Sequence, residues 1–510
     1  MIEHSEHNEE LIESRVEAHD KQQFEVKLDY SINSSSKDNR YRIEAYFFVP
    51  LSLGIREDSY PKELFFRDVM GYIRFKTPAI SFAGLLEPEL KQSPFYRIRR
   101  KLASVRGGRK PKKVVQYLEH ELKILGCTVR ANLRDRIREG LEQLETCAEP
   151  DVARLQADLL ASLRPVEDVL SHYRHLEFGE DGLGKALEGT YRWVDEFLSV
   201  TLENYLTILL ERISQSPDIE MLEPLADWAA LRLEEERGYR DKLGYPRIIS
   251  EGLPNETYLY RRGLLKKLAM SVLFLKVNTE ADSNRLSDFF ASVAAGIAML
   301  FAAFATIYSQ RWWGLNTTPF VVALVVSYIL KDRIKEWIRR YSATFVSRQM
   351  WDRSVWIEDP SNELRVGRCR ERFDFLQPDS ISDEVLSLRH RGRPNSTEAL
   401  SKHESCFRYV KEVTLDGKRI GKQHMRLSDI NDILRFSVSH LLLRADDPLQ
   451  SVRFYHVRRK EVRRVDCPKV YHLNLVLKLR SGRNFEEETM ERVRVVLDAG
   501  GIRGLRFVPA

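Results

Sequence analysis

The stretch FFASVAAGIAMLFAAFATIY, Phe289 to Tyr308, followed after a short connection by PFVVALVVSYIL, Pro319 to Leu330, decides how the rest of the chain is read. No charged residue lies between Phe289 and Gln310. About twenty mostly apolar residues, rising about 1.5 Å each, make a helix of roughly 30 Å, the thickness of bilayer hydrocarbon. The competing reading is a core helix of a soluble domain, but such helices seldom stay uncharged on every face for this length.

The second stretch is weaker, because its dense apolar part would extend only about 18 Å. Uncharged Trp312 to Thr318 can add interfacial length at one end, and Lys331 can snorkel at the other. Thr318 before Pro319 predicts a helix start with Thr318 as the N-cap. Basic residues flank both stretches: Arg261, Arg262, Lys266, Lys267, Lys276 and Arg285 before, and Lys331, Arg333, Lys335, Arg339 and Arg340 after. The connection carries only Arg311. Since positive residues are retained on the cytoplasmic side, this asymmetry predicts two crossings, near 288–309 and 315–331, in an inner or plasma membrane with both termini cytoplasmic. No ionisable group lies at membrane depth in the first span, which argues against a proton relay or an ion-coupled transporter.

Within the first span Ala291, Ala295, Ala298, Ala302 and Ala305 follow spacings of four and three, with Gly296 and Ser292 beside them. Small residues let helices approach closely, so this stripe is a candidate helix-packing seam. It serves either the second span of the same hairpin or another protomer in a homo-oligomer. Past Leu330 the apolar residues Ile334, Trp337, Ile338, Tyr341 and Phe345 share one helical face, which predicts that the second helix runs on beyond the bilayer. The segments SYILKDRIKEWIRRY and AAGIAML resemble sequences of uncharacterised bacterial membrane proteins with two transmembrane helices. That resemblance implies the same topology and names no activity.

Elsewhere the chain has the composition of a soluble protein, with 31% charged residues and a mean hydropathy of -0.38. The sequence predicts a multidomain α+β membrane protein: a small N-terminal sheet and a helical bundle, a central transmembrane helical hairpin, and a C-terminal β-rich sandwich or barrel-like domain. A polar segment over 1–22 lacks the apolar run of a secretory signal. A small α/β region follows over 23–100, where FEVKLDYS and YRIEAYFFV around INSSSKDNR predict a β-hairpin, with a short helix near Glu63 to Phe75. Residues 101–256 read as a basic linker and helical domain, because VVQYLEHELKILGCTVRANLRDRIREGLEQL and YRWVDEFLSVTLENYLTILLERI show apolar spacings of three and four. Residues 257–350 hold the hairpin with its juxtamembrane helices. Residues 351–510 form a β-rich cytosolic domain, whose clearest strand is YHLNLVLKL, with CFRYVKEVTL, SVSHLLLRA, SVRFYHVRR, VRVVLD and LRFV as further candidates and a helix inserted near Ser428 to Leu434.

No catalytic motif emerges, and an enzyme built from dispersed residues would escape such a search. Gly179 to Ala186 has P-loop spacing, but Ala186 stands where a metal-binding Ser or Thr is needed, and Glu180 and Asp181 oppose phosphate. His172 and His175 share a helix face without further ligands, and His120-Glu121 lacks the second histidine of a zinc-protease motif. The five cysteines lack C-x-x-C spacing and read as reduced thiols. Neither a cofactor nor a metal is implied.

One basic run has no acidic residue: Arg97, Arg99, Arg100, Lys101, Arg106, Arg109, Lys110, Lys112 and Lys113. In a membrane-tethered segment it suits anionic lipid headgroups. The same run could meet nucleic acid, but it contains no interleaved aromatic residues for base stacking. Arg368, Arg370 and Arg372, and separately Arg458, Arg459, Lys460, Arg463 and Arg464, read as charged strand faces or as contacts for an acidic partner. The composite expectation is a membrane-tethered binding, sensing or scaffold protein with lipid and cytosolic protein partners. The alternatives are an oligomerising membrane effector or pore component, and an enzyme with an unrecognised cytosolic site.

Overall fold

In the computed structural model, residues 12–105, 112–146, 149–178, 183–245, 255–280, 282–314, 317–349, 351–360, 364–391, 404–423, 426, 429–482 and 485–508 are described. The chain opens with β1 (Ile12–Ala18), β2 (Gln23–Ser31), β3 (Asn39–Pro50), α1 (Lys62–Asp68) and β4 (Val69–Phe75). Helices α2 (Phe82–Leu86), α3 (Pro94–Val105), α4 (Lys112–Thr146), α5 (Glu149–Leu163), α6 (Val166–Arg174), α7 (Leu183–Ser214), α8 (Ile219–Leu243) and α9 (Glu256–Met270) follow. Strand β5 (Lys276–Glu280) leads into α10 (Asp282–Trp313) and α11 (Thr318–Gln349), and the chain returns through β6 (Arg353–Asp359), β7 (Leu364–Leu376), α12 (Asp383–His390) and β8 (Glu404–Leu415). Helix α13 (Gly417–Gln423) precedes β9 (Asp429–Ser437), β10 (Leu449–His456), β11 (Glu461–Pro468), β12 (Tyr471–Ser481), β13 (Glu487–Asp498) and β14 (Gly501–Val508). The result is a mixed α+β protein in two compact units: Met1–Ile73, Leu275–Gln423 and Ser428–Ala510 form one, and Arg74–Phe274 with His424–Leu427 form the other.

The first unit stacks a four-stranded sheet, in the order β1-β2-β9-β4, on an eight-stranded one, β14-β13-β12-β3-β8-β7-β6-β5. Alternation puts Tyr41, Ile43, Ala45 and Phe47 of β3 beside Phe407, Tyr409 and Lys411 of β8 on the inner face. Phe436 of β9 reaches in from the opposite sheet, 5.1 Å from the Phe47 ring and 6.1 Å from Tyr409. The strands expected to form a separate N-terminal hairpin are divided between these sheets: β2 pairs with β1 and β9, β3 with β8 and β12. INSSSKDNR is therefore a corner. The Asn39 side chain holds it, accepting from Asn33 N–H at 2.8 Å and donating to the Asn33 and Ser36 carbonyls. Gly417 packs against this corner, where a Cβ would collide with the Asn33 carbonyl.

Three further expectations are corrected. The helix near Ser428 to Leu434 is strand β9, whose buried Ile430, Asp432, Leu434 and Phe436 alternate. An aspartate in an inward slot conceals that period from a reading based on apolar residues. SVSHLLLRA is a turn-rich segment after β9. The helix near Glu63 to Phe75 stops at Asp68, where β4 begins.

Asp432 is fully buried between the sheets and accepts from Lys411 Nζ at 2.7 Å and Tyr41 OH at 2.8 Å. Burial works against the Lys411 charge, but Asp432, with Cys369 and Glu371 nearby, outweighs it and raises its pKa. Lys411→Met, which strands Asp432 without its cation, is expected to cost about 3–5 kcal/mol, and adding Asp432→Leu should recover part of that loss. Urea unfolding of the detergent-solubilised chain measures both.

Candidate functional site

Only Ala291–Trp313, within α10, is a helix segment long and apolar enough to cross a membrane among the described residues. Helix α11 has the same length, but its apolar run ends at Leu330 and Lys331, Asp332 and Arg333 follow within the helix. Gly314 turns the chain after α10 in the left-handed region (φ 68°). The capping hydroxyl of α11 belongs to Thr317, one residue before the predicted Thr318: it accepts from Phe320 N–H at 3.4 Å. Helices α10 and α11 pack along each other. Ala294, Ala298 and Ser309 are buried, and Ala291, Ala295, Ala302 and Ala305 are half-buried on the same stripe. Gly296 lies off it, exposed, with nothing near an added Cβ. The facing stripe of α11 carries half-buried Phe320, Ala323, Ser327, Lys331, Ile334 and Ile338, whereas Trp337 is exposed.

The other sides of the pair are apolar and open. Met299, Leu300, Phe304, Ile307 and Tyr308 of α10 and Val321, Val322, Val325, Tyr328 and Ile329 of α11 are exposed, Phe304 to 70%. Only 11% of the apolar window of α10 is buried. At the root, β5 and β6 are antiparallel neighbours with Glu280 opposite Ser354, so the segment that enters α10 and the one that leaves α11 are hydrogen-bonded to each other.

The basic run is only partly described: Arg106, Arg109 and Lys110 lie outside the described residues. Arg97 turns inward, its guanidinium donating to the Lys91 carbonyl at 3.0 Å and lying 3.7 Å from buried Glu121. Arg426 forks onto the same carboxylate at 2.7 and 2.8 Å. Lys101 sits over the Tyr117 ring, and Arg99, Arg100, Lys112 and Lys113 are exposed. Of the flanking charges counted from sequence, Arg261 engages Glu196 through two 2.5 Å bonds and Arg262 engages Asn204.

Two buried polar clusters were not evident from sequence, because their members are far apart in the chain. In the helical unit Arg174 of α6 forks onto Glu236 of α8 at 2.9 Å, touches Asp195 of α7 at 3.2 Å and stacks on Tyr239. Ser199 donates to Glu236, and Tyr239 and Tyr245 donate to Asp195. Every member here is matched, so the cluster ties α6, α7 and α8 together. Beside it a cavity of about 500 Å³ is lined by Lys185, Arg192, Trp193, Glu196, Tyr245 and Arg261. The second cluster adds Tyr409 to Glu371 (2.5 Å) beside Lys411 and Asp432, next to a 150 Å³ cavity that includes Gly71, Arg353 and Cys369. The signal for it lies in β8, where Lys411 takes an inward slot between Tyr409 and Val413.

His172 and His175 each bond a carbonyl four residues back in their own helix. Among the described residues no group of three His, Cys, Asp or Glu side chains could hold a metal ion. The first half of the P-loop-like segment, Gly179 to Gly182, lies outside the described residues. Arg368, Arg370 and Arg372 alternate with buried Cys369 and Phe373 and face outward, paired with Ser354, Glu412 and Asp374. No family model, curated protein or solved structure matches the chain.

Burial pushes the thiols of Cys127 and Cys406 up to about 12 and that of Cys369 further, while Cys467 is half-exposed. Of these four, only Cys467 should react with maleimide in the folded protein, and all four should react in denaturant, as mass spectrometry of the labelled chain would show.

Proposed function

We propose that the chain is an inner- or plasma-membrane protein in which α10 and α11 form a two-span anchor, holding a cytosolic β-sandwich and helical unit at the bilayer as a binding, sensing or scaffold protein. The β5–β6 pairing carries this reading. If α10 crosses the bilayer, β5 stays on its entry side, and β6 must be there too because the two strands exchange backbone hydrogen bonds. An anchor rooted in one sheet has an even number of crossings, so α11 has to return.

The exposed apolar sides of the pair support the same reading. A core helix of a soluble protein buries such side chains, whereas those of α10 are left for lipid. The short apolar run of α11 is compatible with a crossing through local bilayer thinning and snorkelling of Lys331, whose ammonium lies over the Tyr328 ring. Because the alanine stripe lies along α11, the anchor packs on itself, which favours the tether over the oligomeric pore.

The test is topological. In sealed vesicles of known orientation, a cysteine at Asn316 should react with an impermeant maleimide from the outer face only, and native Cys467 from the cytoplasmic face only. The chain should also resist alkaline carbonate extraction. Labelling of both cysteines from one face, or release into the carbonate supernatant, contradicts the two-span anchor.

A further inference from the structure

Among the described residues, strands β10 and β11 pair only with each other and form a two-stranded ribbon outside both large sheets. Eight residues per strand give a reach of about 26 Å. Its base is fastened by Asp446, whose N–H donates to Tyr471 OH at 2.9 Å and whose carboxylate pairs with Lys469, and by Lys469 N–H on the Pro448 carbonyl. Beyond that base almost every residue is exposed on both faces. A bare two-stranded hairpin is marginal in water, so a ribbon of this kind implies a surface that covers it.

Its residues say what that surface must offer. Over 449–468 there are six basic residues against two acidic, a net charge of +4 with His456 neutral. Arg453 lies directly opposite Arg464, a like-charged cross-strand pair that repels until an anion comes between or beside them. Among the described residues Arg453, Arg458, Arg459, Lys460 and Arg464 form no ion pair; Arg463 is held by Glu461. Interleaved with this charge are exposed apolar side chains: Val452, Phe454 and Val465 on one face, Tyr455 and Val462 on the other, and Val457 at the tip, 76% exposed and adjacent to Arg458.

We propose that the β10–β11 ribbon is an arm that docks on an anionic bilayer surface, with Val457 and its neighbouring apolar side chains among the lipid headgroups and acyl ends, and the arginines and Lys460 on lipid phosphates and carboxylates. A second copy of the arm would bring the same +4 and is repelled. Nucleic acid would satisfy the arginines and could stack on Phe454 and Tyr455, but it leaves the valines in water. An anionic membrane interface supplies both anionic groups and hydrocarbon. The arm rests on the anchor reading to the extent that the anchor delivers it to a bilayer.

The test uses the full chain carrying Cys147→Ser, Cys467→Ser and Val457→Cys, labelled at residue 457 with an environment-sensitive fluorophore, in nanodiscs of phosphatidylcholine with or without phosphatidylserine. Nitroxide-labelled lipid should quench the probe strongly in the anionic discs and weakly in the neutral ones, and added salt should weaken the quenching. Arg458→Glu, Arg459→Glu and Lys460→Glu together should abolish it with no change in thermal unfolding. A basic residue at an anionic surface contributes about 1 kcal/mol, and restoring one also removes a repelled glutamate, so reverting any one of the three should strengthen docking at least about fivefold.

Quenching that ignores phosphatidylserine, or a probe that responds to an added oligonucleotide and not to lipid, overturns the proposal. Carbonate extraction separates the two readings. Carbonate-resistant chain with an unquenched probe keeps the anchor and removes the arm. If the chain is instead extracted, co-flotation with phosphatidylserine vesicles that is lost on charge reversal supports the arm, and flotation unaffected by charge reversal overturns it.

Discussion

The hydrogen bonds between β5 and β6 set the terms for the α10–α11 pair. They form the edge of an eight-stranded sheet and also close the root of a helical pair sixty-odd residues long. Because the root is closed, α10 and α11 leave and rejoin the same sheet edge. Before its uncharged run begins at Phe289, α10 has already risen about 10 Å from Asp282, at 1.5 Å for each residue.

Buried charge performs in the sandwich what the β5–β6 edge performs for the helices. Lys411 and Asp432 come from opposite sheets and meet only if both strands hold their observed register. A slip of one residue in β8 would turn Lys411 to the outer face and leave Asp432 alone in the core, so the pair selects register as much as it adds stability. In the helical unit Arg426, 305 residues away in sequence from Glu121, has a comparable function: it inserts its guanidinium onto a carboxylate that is 1% exposed. Burial raises the Glu121 pKa even though Arg426 and Arg97 lower it, so this carboxylate is held only partly in check by its cations.

What was legible in the sequence was whatever repeats locally. The uncharged run of α10, the three-and-four spacing of α4 and α7, and the alternation of Leu473, Leu475, Leu477 and Leu479 in β12 each appear within one continuous segment. Strand β9 was lost because Asp432 fills a slot where an apolar residue is anticipated, and the partner that makes it tolerable is on another strand. The N-terminal strands were recognised as strands, but their neighbours were not, since strand pairing over several hundred residues leaves no local mark. The same holds for the Arg174 cluster, drawn from α6, α7 and α8. The ribbon β10–β11 shows the opposite case: its arginines were visible, while their isolation from both sheets, which gives them meaning, is a property of topology alone.

Strand β3 lies in the middle of the eight-stranded sheet, with Phe48 opposite Cys406 on one side and Asn474 on the other. During synthesis at about 5–20 residues per second, the second of those partners leaves the ribosome about 430 residues later, roughly 20–90 s after β3 itself. The α10–α11 pair, which ends at Gln349, is made well before then. A nascent chain would thus carry β3 with its β12 edge unpaired after α10 and α11 have been made. The eight-stranded sheet can therefore close around β3 only after almost the whole chain has been made.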